Sequence, residues 1–157
     1  PFHYQGDIRD LLGQQWDLMI AHPPCTDIAV SGAAHFKAKI ADGRQQRALD
    51  FVQLLMDANI PRICIENPVS VISSKIRKPD QIIQPWHFGN DASKKTCLYL
   101  KDLPLLVETN RLPGNDRTRR ANQTASGQNK LGPSLTRARE RSRTYQGIAD
   151  AMANQWG

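Results

Sequence analysis

The sequence predicts an α/β fold built on a mainly parallel sheet. Two apolar runs carry this expectation. Asp17-Leu-Met-Ile-Ala21 and Arg62-Ile-Cys-Ile-Glu66 are both short, and each meets a proline soon after its end. Such runs are the pattern of strands buried in a parallel sheet. Between them, residues 43–59 carry Ala48, Phe51, Val52, Leu55 and Met56 at helical spacing, with Arg44, Gln45, Arg47 and Asp50 on the outer side. Strand, helix and strand in that order form a βαβ unit, with a right-handed crossover and hence parallel strands.

Taken in order, residues 2–10 read as a strand and turn, and residues 8–12 begin a short helix. Residues 16–21 read as the first central strand. Pro23-Pro24 stops it, because proline cannot continue a ladder. Cys25 follows at once, so a thiol is expected just past the carboxyl end of a strand, where open α/β sheets bind ligands. Residues 26–39 include Ala29, Ser31, Gly32, Ala33 and Ala34 and are expected to form a mobile loop over that site. Pro61 ends the helix, and the second strand stops at Glu66-Asn67-Pro68. A carboxylate therefore sits at the end of the neighbouring strand. Cys25 and Glu66 form a nucleophile and acid pair.

Residues 71–76 read as a short helix, residues 79–89 as an irregular or strand segment reaching Gly89, and residues 96–100 as a strand. Residues 101–143 lose periodicity and hold Pro104, Pro113, Pro133, Gly114, Gly127 and Gly132, the pattern of a long loop that a partner orders. Residues 144–156 form a last helix, with Ile148, Ala151, Met152 and Gln155 on one face and Thr144 as its cap. There are no internal repeats.

Composition narrows the classes. A chain of 157 residues with 39% hydrophobic and 23% charged residues reads as one soluble globular domain. No run approaches the roughly 20 apolar residues of a membrane span. No apolar leader with a basic start is present, so nothing argues for secretion. Three widely spaced cysteines give neither a disulfide framework nor a CxxC metal site, which fits a reducing, cytoplasmic setting. His3, His22, His35 and His87 are scattered and suggest no metal cluster. The net charge of +6 is uneven: residues 101–143 hold 10 Lys/Arg against 4 Asp/Glu, whereas residues 1–100 are nearly balanced. A basic segment of this kind is the footprint of a polyanion, with nucleic acid the first candidate.

Pro23-Pro24-Cys25, Ser31 six residues later and Glu66-Asn67-Pro68 about forty residues further on resemble the signatures of the DNA cytosine-5 methyltransferases, in particular their compact, phage-type members. The likeness extends to other segments. Gly6-Asp7-Ile8-Arg9 resembles the family's acidic strand end. Phe88-Gly89 through Lys94-Lys95-Thr96-Cys97-Leu98 resembles its glycine-to-basic motif before a strand. Ile148-Ala149-Asp150-Ala151-Met152 resembles its closing helix. The motifs stand in the family's order and cover residues 6–100 and 144–156.

The resemblance implies a Rossmann-like, three-layer class I methyltransferase fold using S-adenosyl-L-methionine (SAM). It makes residues 1–157 a single methyltransferase-like domain, with residues 101–143 as a basic loop or small target-recognition insert. It implies cofactor contacts at Asp7, Ile8, His22, Pro23 and Asp150. It implies DNA contacts at Ser31, Asn67, Lys94 and Lys95. Arg117, Arg119 and Arg120 of the basic segment would hold phosphates. The family's glycine-rich cofactor turn has no counterpart here, since Gly6, Gly13, Gly32 and Gly43 are isolated. Either the chain is a fragment, or a second chain completes the cofactor site. Pro68 stands where the family has Val, Thr26 where it has Gln, and lysines 94 and 95 where it tends to have arginines.

The chemistry explains the residue types. Carbon 5 of cytosine is a poor nucleophile until a thiolate adds to carbon 6, which is covalent catalysis. An acid at ring nitrogen 3 takes the charge that this addition builds. Cys25 is the expected thiol and Glu66 the expected acid, with burial raising its pKa; Cys64 and Cys97 lie in apolar strands and are expected to be core. Three alternatives stand beside this reading. One is an enzyme acting on another pyrimidine, or adding another group at carbon 5. Another is a catalytically incomplete nucleic-acid-binding subunit. The third is a cysteine hydrolase, which would need a His paired with Cys25.

Overall fold

The computed structural model describes residues 3–132, 134 and 137–157, with the side chains of residues 138 and 139 also outside the description. Phe2, at the start of the expected first strand, and Pro133, in the expected loop, lie outside the described residues.

The chain is α/β. Its strands are β1 (Leu18–Ala21), β2 (Arg62–Pro68), β3 (Gln81–Ile83) and β4 (Thr96–Lys101). They form a mixed, open sheet in the order β1-β2-β4-β3. Its helices are α1 (Phe36–Ala41), α2 (Arg44–Met56), α3 (Ile72–Lys75), α4 (Arg137–Ser142) and α5 (Gln146–Trp156). Among the described residues, 3₁₀ segments stand at Ile8–Asp10, Val30–His35 and Pro85–His87. Two compact units divide the chain. One comprises the residues up to Asp80 with Cys97–Pro104; the other comprises Gln81–Thr96 with the described part of Leu105–Gly157.

The first unit contains the expected βαβ element. β1 and β2 pair in parallel, with Leu18 opposite Arg62, Met19 opposite Ile63, Ile20 opposite Cys64 and Ala21 opposite Ile65. Strand side chains alternate between faces. Met19, Ala21, Ile63 and Ile65 therefore share one face, where they join Leu49, Val52 and Leu55 of α2 in a core with Ile28, Ile60, Ile72, Cys97 and Tyr99. Gly43 enters α2 at φ +75, a left-handed conformation open to glycine, and the Asp42 carboxylate accepts the Arg44 N–H of the first turn.

Several expectations are corrected. β1 is an edge strand of the described sheet, not a central one, and its four residues are only partly buried. β2 does not end at Glu66: it runs on through Asn67 and Pro68, and the chain continues into an antiparallel bridge between Ala29 and Ser70. Among the described residues no strand precedes Asp7, which caps a 3₁₀ turn instead. Residues 26–39 are not a loose loop. The Cys25 carbonyl accepts the N–H groups of Ile28 and Ala29 at 3.1 and 2.8 Å, Val30 N–H donates to Val69 O, and the chain then turns directly into a 3₁₀ segment and α1.

In the second unit α5 buries Ile148, Ala151, Met152 and Trp156, the face that the periodicity predicts. Its cap position is Tyr145 rather than Thr144, and no side chain caps it. The basic stretch carries much local order. Asn122 bridges Ser93 through both its oxygen and its amide, and Gln123 pairs with Asn129 in an isolated bridge. Residues Arg137–Ser142 form α4, where a loop was expected. No helix of the described residues is long and apolar enough to cross a membrane.

Candidate active site

The parallel ladder ends at Ala21 and Ile65, and the next residue of each strand is polar: His22 and Glu66. They meet. His22 Nδ1 lies 2.9 Å from Glu66 Oε2. Glu66 is 7% exposed, whereas the His22 side chain is 39% exposed. By the strand alternation Glu66 faces away from Ile63 and Ile65, on the face opposite α2. One residue further, Asn67 Nδ2 donates to Pro23 O at 3.1 Å. Asn67 is 1% exposed and Pro23 is buried, so this bond joins the two strand ends out of water. Two successive side-chain contacts thus bind the turn before Cys25 to the end of β2.

Cys25 begins the turn after Pro24 and is half-buried. The turn is held from behind. The Lys39 ammonium donates to the Thr26 carbonyl and pairs with Asp27 at 3.4 Å, and Gln45 Nε2 donates to Asp27 O. Lys39 and Gln45 are 7% and 5% exposed. Lys39 did not stand out in the sequence, and Gln45, expected on the outer side of its helix, is instead buried; the packing of α1 and α2 against the turn turns both inward. Ser31 is exposed on the 3₁₀ segment.

The other cysteines differ from Cys25. Cys64 and Cys97 are 0% and 2% exposed. Burial, then the charges of Glu66 and Asp80, push the Cys64 thiol up to about 12. Burial likewise raises Cys97.

The residues expected to hold SAM are occupied with other partners. Asp7 accepts the Arg9 N–H on one oxygen and the Arg9 guanidinium on the other, each at 2.9 Å, and these bonds lower its pKa. Ile8 is 38% exposed at the start of the 3₁₀ turn. His22 is engaged with Glu66. Pro23 gives its carbonyl to Asn67. Asp150 lies in the second unit, on the exposed side of α5, where its carboxylate accepts Gln146 Nε2 at 2.7 Å. Asp7, Ile8, His22 and Pro23 thus belong to the first unit and Asp150 to the second. Among the described residues no group of three or more His, Cys, Asp or Glu side chains is placed to hold a metal. A groove of about 580 Å³ lined by Gln53, Met56, Arg77, Tyr99 and Lys101 contains none of the expected residues.

The expected DNA contacts divide between the units. Lys94 and Lys95 belong to the second; Lys94 N–H donates to Gln84 Oε1, and Lys95 pairs with Asp116 at 3.2 Å. Arg117 and Arg119 are exposed. Arg120 is 5% exposed, with its guanidinium 4.6 Å from the centre of the Trp86 ring and 3.7 Å from Asp91. Arg120 is thus a packing residue of the second unit, not an open phosphate ligand. Arg111 lies over the same ring at 4.5 Å and pairs with Glu108.

Comparison with protein-family models, with curated proteins and with solved structures finds no match to this chain.

Proposed function

We propose that this chain carries the pyrimidine-activating half of a Rossmann-like, SAM-dependent DNA cytosine-5 methyltransferase that works in the cytoplasm. The observation that supports the reading is the junction of the two strand ends: His22 against Glu66, and Asn67 against Pro23 two residues before Cys25.

Cys25 Sγ, as the thiolate, adds to carbon 6 of the cytosine. The electrons of the carbon 5–carbon 6 double bond shift through carbon 4 to ring nitrogen 3, and Glu66 gives that nitrogen its proton. Carbon 5 is then the nucleophilic end of an enamine. Once carbon 5 has taken an electrophile, loss of its original proton to solvent and of the thiolate from carbon 6 restores the ring, and the nitrogen proton returns to Glu66. SAM, when bound, supplies the methyl group; because its expected contacts are otherwise engaged, the residues of this chain are assigned only the steps on the ring. The base must leave the helical stack to reach Cys25. Arg117 and Arg119 are the proposed phosphate contacts.

Carbon 5 activation has a readout that needs no cofactor. Once Cys25 has added, carbon 5 takes a solvent proton and releases its own hydrogen before the thiol leaves. DNA tritiated at cytosine carbon 5 should release tritium to water with the wild-type chain, and Cys25→Ser should abolish the release. Absence of release by the wild type, or release by Cys25→Ser, would refute the reading.

A further inference from the structure

We infer that His22 is the positioning and proton-relay residue of Glu66, carrying protons between the enclosed carboxyl and solvent. The inference rests on the reading of Glu66 as the acid at the pyrimidine nitrogen and assigns to His22 a role other than cofactor contact.

The geometry has three parts. Glu66 is 7% exposed, so bulk water exchanges poorly with its carboxyl. His22 presents Nδ1 to Oε2 at 2.9 Å while 39% of its side chain remains exposed, which leaves the rest of the ring to water. The pair is also fixed in place. It is the next rung after the ladder partners Ala21 and Ile65, and the Asn67–Pro23 bond closes it from beyond. The titratable groups set around Glu66 include His22 from the end of β1, Cys64 on β2 itself and Cys97 on β4. Both thiols are held in the neutral form, in part by the Glu66 charge.

An imidazole bonded through one nitrogen and wetted through the other can move a proton without moving itself. When Glu66 has given its proton to the pyrimidine nitrogen, the carboxylate takes the Nδ1 proton of the His22 ring. As Nδ1 gives that proton up, Nε2 takes one from water, so the ring passes from its Nδ1–H to its Nε2–H tautomer. When the adduct collapses, the nitrogen proton returns and the surplus proton leaves by the same ring. Every proton that enters at Nε2 is matched by one that leaves there.

The test is tritium release from carbon 5 by His22→Ala, with and without added imidazoles. A relay predicts a loss of about 10²- to 10⁴-fold, the usual worth of a positioned acid or base. It also predicts partial recovery that grows with imidazole concentration and tracks the basicity of a series of substituted imidazoles. Glu66→Gln should show no such recovery. A merely structural His22 gives a loss that no imidazole repairs, and that result, or an unimpaired His22→Ala, overturns the relay while leaving the Cys25 reading standing. No tritium release by the wild type removes the functional reading, and the relay with it.

Discussion

The three cysteines of this sequence fall into two environments, two buried and one half-buried, and position alone separates them. Cys64 is fully buried on β2, where burial and the Glu66 charge push its thiol up to about 12. At pH 8 a thiol of that pKa is ionised to only about one part in 10⁴, and the thiolate is the reactive form. Cys97 is shifted in the same direction by the same cause. Cys25 is half-buried in a polar turn. Iodoacetamide at pH 8 should therefore label Cys25 in the folded chain, with Cys64 and Cys97 labelled only after denaturation. Peptide mapping reads the outcome, and early labelling of Cys64 would contradict its placement. The Arg residues divide similarly. Arg117 and Arg119 are surface charges, while Arg120 lies over the Trp86 ring.

At the scale of elements, the close fits are made by backbone as much as by side chains. The Gly147 N–H at the start of α5 donates to Asn90 Oδ1 at 3.3 Å. A Cβ on Gly147 would overlap the Phe88 carbonyl oxygen, a backbone atom that cannot swing away. Gly147→Ala should therefore destabilise the second unit by about 1–3 kcal/mol, the range for overpacking. Trp86 and Trp156, both in that unit and both nearly fully buried, should report the unfolding by fluorescence in urea. Gly13→Ala is the control, since nothing lies within 4 Å of its Cβ position, and its midpoint should hardly move. Equal midpoints for the two variants would show that α5 does not pack as described.

For the molecule as a whole, the positive charge has a place but not every charge is available. Residues 101–143 hold the excess, yet Arg111 is paired with Glu108 and Arg120 is packed on Trp86. Replacing Arg117 and Arg119 together by Ala should weaken DNA binding similarly across sequences and flatten the salt dependence by about two phosphate contacts, roughly 1.8 in the log–log slope. Arg120→Leu should act differently, lowering the stability of the second unit. Binding titrations at several salt concentrations, set beside urea unfolding, separate the two effects. An unchanged slope in the double variant would mean that the exposed arginines are merely solvated.

The βαβ element was legible because periodicity is local. Ile63 and Ile65 alternate with Cys64, and Leu49, Val52 and Leu55 recur at helical spacing, so each strand and helix carries its own inward face. The end of β1 was legible for the same reason, since Pro23 and Pro24 follow its apolar run, whereas β2 continues through Pro68. What only the tertiary structure decided are the pairings across the chain. His22 and Glu66 are 44 residues apart, and the register of the ladder alone makes them neighbours. The turn after Cys25 looked loose from its small residues, but Lys39 and Gln45 arrive from α1 and α2 to hold it. Arg120 looked like part of a basic run until Trp86 gave it a face to lie on. Local pattern fixes which way a side chain points from its own strand or helix, whereas its partner is set by folding, which brings distant residues to the same place and removes the water between them.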